Sequence, residues 1–299
     1  MNPNSISYTG YYKLIRPSTK LISDLMFNRF FHWYLHWRRG AEYQKLNLLN
    51  PKTFCDKIIW LKLYDDVENS HVLADKYLVR EHVDNLIGEG HLVPLLGVYE
   101  DANDIDFDSL PNRFVAKASH GCGWNIVCED KSHLDVEDAR KKLNKWLELN
   151  YYYFYREKQY RKCPPRIVIE QHLKDICDTD VRDHKFYCFN GLPRFVQIDV
   201  ERDTNHRQAF YDMDWNKQQF HQLYPPYEED LPVPDHYDEM QEIARKLSAG
   251  LPFARIDLFI HGGTIYFGEI TLHSHSGYAP FFPADFDARF GAELELPAP

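Results

Sequence analysis

Phe253-Ala254-Arg255-Ile256-Asp257-Leu258-Phe259-Ile260-His261-Gly262-Gly263-Thr264-Ile265-Tyr266-Phe267-Gly268-Glu269-Ile270-Thr271 decides the reading of this chain. Two runs rich in β-branched and aromatic residues flank Gly262-Gly263, the pattern of a hairpin. Arg255 and Asp257 are two apart and share a face, as do Glu269 and Thr271. Register decides whether the pairs meet. A three-residue loop, Gly262 to Thr264, sets Asp257 opposite Glu269 and Arg255 opposite Thr271. A strict two-residue turn sends the carboxylates to opposite faces. Two carboxylates side by side on an apolar sheet repel each other unless something positive is bound. Mg²⁺ carrying phosphate oxygens is a natural neutraliser, and Arg255 beside it suits a clamp on a transferring phosphoryl group. A salt-bridge cluster on a solvated face is the competing reading.

Three further stretches carry chemistry. Phe114 to Cys128 reads as a strand with Lys117 near its end, a loop (Ser119-His120-Gly121-Cys122-Gly123-Trp124) and a second strand from Asn125. Glycines let backbone N–H groups turn inward around phosphate oxygens, and a lysine adds a point charge. The spacing is neither a Walker loop nor a dinucleotide fingerprint, and a plain hairpin remains the alternative. Arg166 to Gln171 is a strand with an acid, Glu170, at its far end. His184-Lys185-Phe186-Tyr187-Cys188-Phe189 closes on Asn190-Gly191, a strong hairpin turn; Lys185 alternates onto the face of Tyr187 and Phe189.

The remaining pattern is α+β. Helices are predicted in the first 50 residues, from a capping box at Thr53 with Asp56, from Ala74 to a stop at Gly88 and Gly90, from about Asp135 to about Tyr155, and from about Tyr237 to Leu247. Short strands are predicted at Leu95 to Tyr99 and Arg113 to Lys117. The segment Met26 to Arg39 mixes large apolar groups with base and has the composition of a helix on a membrane surface or of one packed on the protein.

The 299 residues suit about two domains or one large lobed domain. The 44% hydrophobic and 27% charged residues are ordinary globular usage. A net charge of −10 argues against nucleic acid as the main partner. No long apolar run predicts a transmembrane helix, and Met1 to Ser5 does not open a secretory signal. The six cysteines form no C-x-x-C pair and read as reduced, cytosolic thiols.

Taken together and in order, these pieces resemble the ATP-grasp superfamily, and within it the TupA-like family of teichuronopeptide biosynthesis. Pro51-Lys52-Thr53-Phe54, Ile58 to Tyr64, Ala74-Asp75-Lys76-Tyr77, Asp183 to Gly191, Asn205-His206 with Phe210-Tyr211-Asp212 and Asp214-Trp215, and Phe267-Gly268-Glu269 carry the resemblance. It implies two α+β lobes clamping ATP after an N-terminal helical region of residues 1–72. The ATP-grasp domain would occupy 73–299, its glycine-loop lobe about 113–165 and its metal-binding lobe about 166–299.

The resemblance also implies roles. Lys117 and Lys76 contact phosphates, with Ser119, Gly121 and Gly123 forming the loop over them. Glu170 lies on the strand beside adenine. Asp257 and Glu269 bind Mg²⁺, Arg255 stabilises the phosphoryl group, and Lys185 reaches the γ-phosphate. Thr271 stands where asparagine is common as a third metal contact. Asp178 is a weaker candidate for the ribose; by residue type alone, Arg202, Asn205 and Arg207 are candidates to hold a substrate carboxylate. The implied partners are ATP, an amino acid and a carboxylate-bearing sugar or polysaccharide precursor. The implied place is the cytoplasm, at the inner face of the membrane if residues 26–39 dock there. A kinase on the same fold, a glycosyltransferase of the same pathway, a nucleotide-binding scaffold and a zinc site from His273, His275 and Glu269 are the alternatives.

Overall fold

The computed structural model describes residues 22–39, 45–65, 67, 69–173, 182–201 and 205–298. In chain order its helices are α1 (Asp24–Arg39), α2 (Phe54–Tyr64), α3 (Ser70–Ala74), α4 (Val79–Ile87), α5 (Val136–Leu147), α6 (Tyr152–Tyr155), α7 (Tyr237–Ser248) and α8 (Asp285–Glu293). The strands are β1 (Leu95–Tyr99), β2 (Phe114–Ala118), β3 (Asn125–Cys128), β4 (Ile167–Gln171), β5 (Arg182–Phe189), β6 (Leu192–Val200), β7 (Arg207–Asp212), β8 (His221–Gln222), β9 (Phe253–His261), β10 (Thr264–Thr271) and β11 (Phe281–Phe282). The chain divides into two compact units, residues 1–22 with 69–181 and residues 23–68 with 182–299.

The first unit is built on a four-stranded sheet in the order β1-β4-β2-β3, antiparallel throughout. One face packs on Phe107, Trp124, Leu143 and Phe154, with Phe114, Ala116, Ile167 and Ile169 contributed by the strands. The sequence predicts a single helix from Ala74, yet α4 begins only at Val79. Asp75 causes the break: its Oδ1 accepts from the backbone N–H groups of Tyr77 (2.9 Å) and Leu78 (3.0 Å). An aspartate side chain that satisfies nearby amides competes with helix. Likewise, the predicted Asp135–Tyr155 helix is two pieces. The α5 register ends at Leu147, and the Asn150 carboxamide caps the restart by accepting from Tyr152 N–H.

The second unit holds a five-stranded antiparallel sheet, β10-β9-β5-β6-β7, and a two-stranded pair, β11-β8. Helix α2 starts where the capping residue predicts: Thr53 Oγ1 accepts from Asp56 N–H at 3.1 Å. Its Phe54 enters a cluster of Tyr187, Phe189, Phe253, Phe281 and Phe290, with ring centroids 5.1–6.4 Å away. This is the aromatic core beneath one face of the sheet. Phe186 stacks on Tyr237 of α7 against the other face. High aromatic content is therefore spent largely on core packing, where each ring buries much apolar area.

The Asn190-Gly191 hairpin forms as its sequence predicts, with φ of 51° and 79° at the two turn residues. The Gly262-Gly263 turn is different in detail. Thr264 pairs with His261 and Phe267 with Leu258, which is two-residue turn register. A bulge at Gly268 then shifts the ladder by one, so Glu269 pairs with Asp257 and Thr271 with Arg255. The extra residue must be small. A Cβ on Gly268 would lie 2.6 Å from a Phe259 ring carbon and 3.0 Å from the Asp257 carbonyl oxygen.

Candidate active site

Each unit collects its own share of the sequence-predicted residues. In the first unit, Glu170 of β4 pairs with Val115 of β2, and Lys117 lies two residues along on the same face. The Lys117 ammonium reaches Glu170 Oε2 at 2.5 Å, and Arg80 of α4 reaches Glu170 Oε1 at 3.1 Å. Arg80 also donates to the Val93 carbonyl at 2.9 Å. The carboxylate is nearly buried while Lys117 stays about a quarter exposed, so the pair sets the direction of the ammonium more than it hides it.

Lys76 is presented by the Asp75 turn. Its backbone N–H donates to the Ser119 carbonyl at 3.1 Å and its ammonium to the Gly121 carbonyl at 2.5 Å. Ser119 donates in turn to Asp75 Oδ2 at 3.0 Å. The loop between β2 and β3 is thus tied to the segment carrying Lys76. It is also anchored by Trp124, which is buried against Phe154 and Tyr151. A Cβ on Gly121 would lie 2.5 Å from the Trp124 ring, and Gly123 has a φ of +70°. Both glycines are needed for these reasons. His120, between them and the core, bonds the Trp146 carbonyl through Nε2 at 2.9 Å, and burial lowers its pKa against the pull of that bond.

In the second unit, sheet register does the assembly. Lys185 of β5 pairs with Asp257 of β9, and Asp257 with Glu269 of β10. Tyr187, Arg255 and Thr271 form the next row. Arg255 grips Asp257 through two bonds, Nε to Oδ1 at 2.7 Å and an η-nitrogen to Oδ2 at 2.8 Å, and also reaches Glu269 Oε1 at 2.9 Å. The Lys185 ammonium touches Asp257 Oδ2 at 3.1 Å, bonds Asp183, and stands 3.7 Å from Asp199. Asp199 is fixed by the side-chain amides of Gln197 (2.8 Å) and Gln208 (3.4 Å). Thr271 donates its hydroxyl to Glu269 Oε1 at 3.1 Å.

Four carboxylates and the Lys185 and Arg255 cations therefore meet here, Asp183, Asp199 and Asp257 buried and Glu269 about a third exposed; His206 Nε2 stands 3.2 Å from Asp199 Oδ1. Burial opposes the charge on Lys185, but Asp257 and Asp183 outweigh it and raise its pKa. Burial likewise opposes the charge on Arg255, which Asp257 and Glu269 hold protonated. Burial raises the Asp257 carboxyl against Arg255 and Lys185. The competing reading of a salt-bridge cluster holds for the contacts but not for the solvation: Asp183, Lys185, Asp199, Arg255 and Asp257 are buried, and only Glu269 keeps about a third of its side chain exposed.

The donor set fits a magnesium ion in one respect. Asp257 and Glu269 bring hard carboxylate oxygens to facing positions, with Arg255 bonded to both. Among the described residues no group of three or more His, Cys, Asp or Glu side chains is arranged to hold a metal alone, which also leaves the His273–His275–Glu269 zinc reading without a cage. Mg²⁺ commonly takes one or two carboxylates and draws its other ligands from phosphate and water. Thr271 acts on Glu269 by hydrogen bond.

Sequence reasoning missed Arg80, Asp183 and Asp199. Asp183 sits two residues before Lys185, so alternation alone places it on the same face; the other two depend on tertiary neighbours. Arg207 donates to the Pro226 carbonyl at 3.3 Å. Asp178 and Arg202 lie outside the described residues. The described cysteines, Cys55, Cys122, Cys128, Cys163 and Cys188, are free thiols.

The family model for TupA-like ATP-grasp proteins matches residues 56–295. The chain belongs to the TupA-like ATP-grasp family. The match spans both units and takes in every residue of the two clusters. No curated protein matches the chain. Among solved structures it is similar to D-alanine–D-alanine ligase from Bacillus anthracis (14% identity over 68% of this chain and 58% of that one, TM-score 0.42). It is also similar to D-alanyl-alanine synthetase A from Vibrio cholerae O1 biovar eltor (13%, 75% and 65%, TM-score 0.43) and to D-cycloserine synthetase DcsG (15%, 74% and 69%, TM-score 0.40). The chain spans less than two thirds of the length of the D-alanine–D-alanine ligase structures it matches. Family membership rests on the match over 56–295.

Proposed function

We propose that this member of the TupA-like ATP-grasp family is an ATP- and Mg²⁺-dependent ligase that joins a carboxylate to an amine through an acyl phosphate. The acid-rich cluster around Asp257 carries the reading: carboxylates outnumbering cations in a largely buried site are costly as they stand and suit a divalent metal ion, which can in turn hold phosphate oxygens. Bound Mg²⁺ would neutralise phosphate charge and orient the γ-phosphoryl group. Asp257 and Glu269 would hold it, and Thr271 would orient Glu269. Within the first unit, Lys117 and Lys76 would be phosphate-binding cations, with Glu170 and Arg80 directing Lys117. The loop beyond Ser119, whose own N–H is taken by the Arg166 carbonyl at 2.8 Å, would present backbone N–H groups around Gly121 and Gly123.

Chemistry then follows from charge. A substrate carboxylate oxygen attacks the γ-phosphorus and the bond to the bridging oxygen breaks, releasing ADP. Arg255 and Lys185 stabilise the charge on the transferring group. The amine attacks the acyl carbon, loses a proton, and phosphate departs. An amino acid and a uronic-acid or similar carboxylate in a cell-surface polysaccharide are the substrate classes we favour, on the family resemblance.

ADP release measured with Mg²⁺-ATP, a uronate and an amino-acid mixture tests this. Release requiring both substrates, and abolished in Asp257→Asn, is expected. Release without any amine would overturn ligation in favour of a kinase. Loss of amine-dependent release only in Lys117→Met, with Asp257→Asn as active as the parent, would overturn the assignment of the metal pair.

A further inference from the structure

Helix α1 is apolar on two sides. Phe27, Phe31 and Leu35 are buried on one side. Phe31 packs edge-on to Tyr278 at 4.8 Å, and the Tyr278 hydroxyl donates to Asn28 Oδ1 at 2.5 Å. The helix is therefore fixed to the second unit by its own inner face. At 100° per residue the other side gathers Met26, Phe30, Trp33, Tyr34 and Trp37 within about a third of the circumference. They are 61%, 58%, 57%, 37% and 68% exposed. Single exposed apolar residues need no explanation, but an aligned stripe of five large ones does.

Charge narrows the choice of partner. The first 39 residues hold six of the chain's 35 Lys and Arg and only one acid, Asp24, leaving 29 bases and 44 acids to the rest. A chain of net charge −10 thus carries a segregated positive segment. Arg29 is exposed beside the stripe, and Arg38 and Arg39 end the helix. Tryptophan, tyrosine and phenylalanine flanked by arginine are the residues that settle at lipid headgroup depth. A second copy is a poorer match, because pairing two α1 faces would bring like charges together. No described helix is long and apolar enough to cross a membrane; α1, at 16 residues, would span only about 24 Å along its axis.

We propose that the Met26–Trp37 face of α1 docks on an anionic lipid bilayer, lying parallel to its surface with the aromatic rings at headgroup depth. The inference rests on α1 and its charges, not on the ligase reading, so either stands if the other fails.

The test is co-sedimentation of the full chain with vesicles of phosphatidylcholine alone and of phosphatidylcholine mixed with phosphatidylglycerol. Binding only to the mixed vesicles is expected, weakened about fivefold in Arg29→Gln. It should be abolished in the triple variant Phe30→Ser, Trp33→Ser, Trp37→Ser. Those side chains are exposed, so the triple variant should keep its thermal midpoint, which is measured alongside. As a second readout, brominated lipid should quench tryptophan emission in the parent and less in Trp33→Phe with Trp37→Phe. No sedimentation with either vesicle, equal binding to both, or a dimer that disappears in the triple variant overturns the proposal.

Discussion

Asp257 stands directly across the ladder from Glu269, although the Gly262-Gly263 turn that joins their strands is built in the register that would part them. The bulge at Gly268 reconciles the two. A side chain there meets Phe259 at 2.6 Å and the Asp257 carbonyl at 3.0 Å. Gly268→Ala should therefore cost about 1–3 kcal/mol, as overpacking does, seen as a lower urea midpoint. Its larger effect should be on Mg²⁺-dependent ADP release, because relaxing the bulge moves Glu269 off the face of Asp257. Unchanged stability and turnover in Gly268→Val would show that the register is not held there.

Lys185 supplies the one ammonium that the described residues bring to the buried patch. Its Nζ bonds Asp183 and Asp257 and lies near Asp199. Lys185→Met leaves three buried carboxylates with only Arg255 among them, and a buried pair broken on one side costs about 3–5 kcal/mol. Adding Asp257→Asn should restore part of that loss, since the two residues share one interaction. Denaturant unfolding of the two single variants and the double measures it; additive losses would mean that Lys185 and Asp257 are not coupled.

What the sequence made legible follows local rules. Alternation put Arg255 with Asp257 and Glu269 with Thr271; turn chemistry placed the Asn190-Gly191 hairpin; Thr53 marked a helix start. Each of these needs only near neighbours in the chain. The pairing of Lys185 with Asp257 needs β5 to lie beside β9 across some 70 residues, and no spacing encodes it. Arg80 and Asp199 were hidden for the same reason. The helix at Ala74 was misread because Asp75 looks helical in pattern while its carboxylate bonds the amides of Tyr77 and Leu78. The Gly268 bulge lay within view as a glycine inside a strand, a known sign of a bulge.

In the first unit the prediction concerns affinity. Glu170 divides its two oxygens between Lys117 and Arg80. Removing one cation leaves the carboxylate paired with the other, so folding should suffer little. A charge-assisted contact to phosphate is worth about 1.5–3 kcal/mol, roughly ten- to a hundredfold in Kd. Lys117→Met should weaken binding of a non-hydrolysable ATP analogue by that factor, measured by calorimetry, with the thermal midpoint nearly unchanged. Equal affinity in parent and variant would remove Lys117 from the phosphate site.

Asp287, at the start of α8, gives a pH signature. Burial pushes its carboxyl up to about 6, despite the Cys55 N–H that donates to Oδ1 at 2.9 Å. In the unfolded chain the group titrates near 3.8, so between about 4 and 6 the folded state holds the extra proton. The stability contributed by neutral Asp287 is thus complete below 3.8 and lost as pH rises through 6. The carboxamide introduced by Asp287→Asn does not titrate, and its oxygen can still accept from Cys55. Relative to the parent, this variant should gain stability as pH rises from 4 to 6, by about 3 kcal/mol in all, then hold that gain up to pH 8. His32 moves the opposite way in the parent, since burial lowers its pKa to about 4 and acidification destabilises the fold through it. That contribution is common to both proteins and cancels in the difference. A difference curve that is flat from pH 4 to 8 would mean that Asp287 is ionised throughout, with Cys55 N–H and Thr53 outweighing burial.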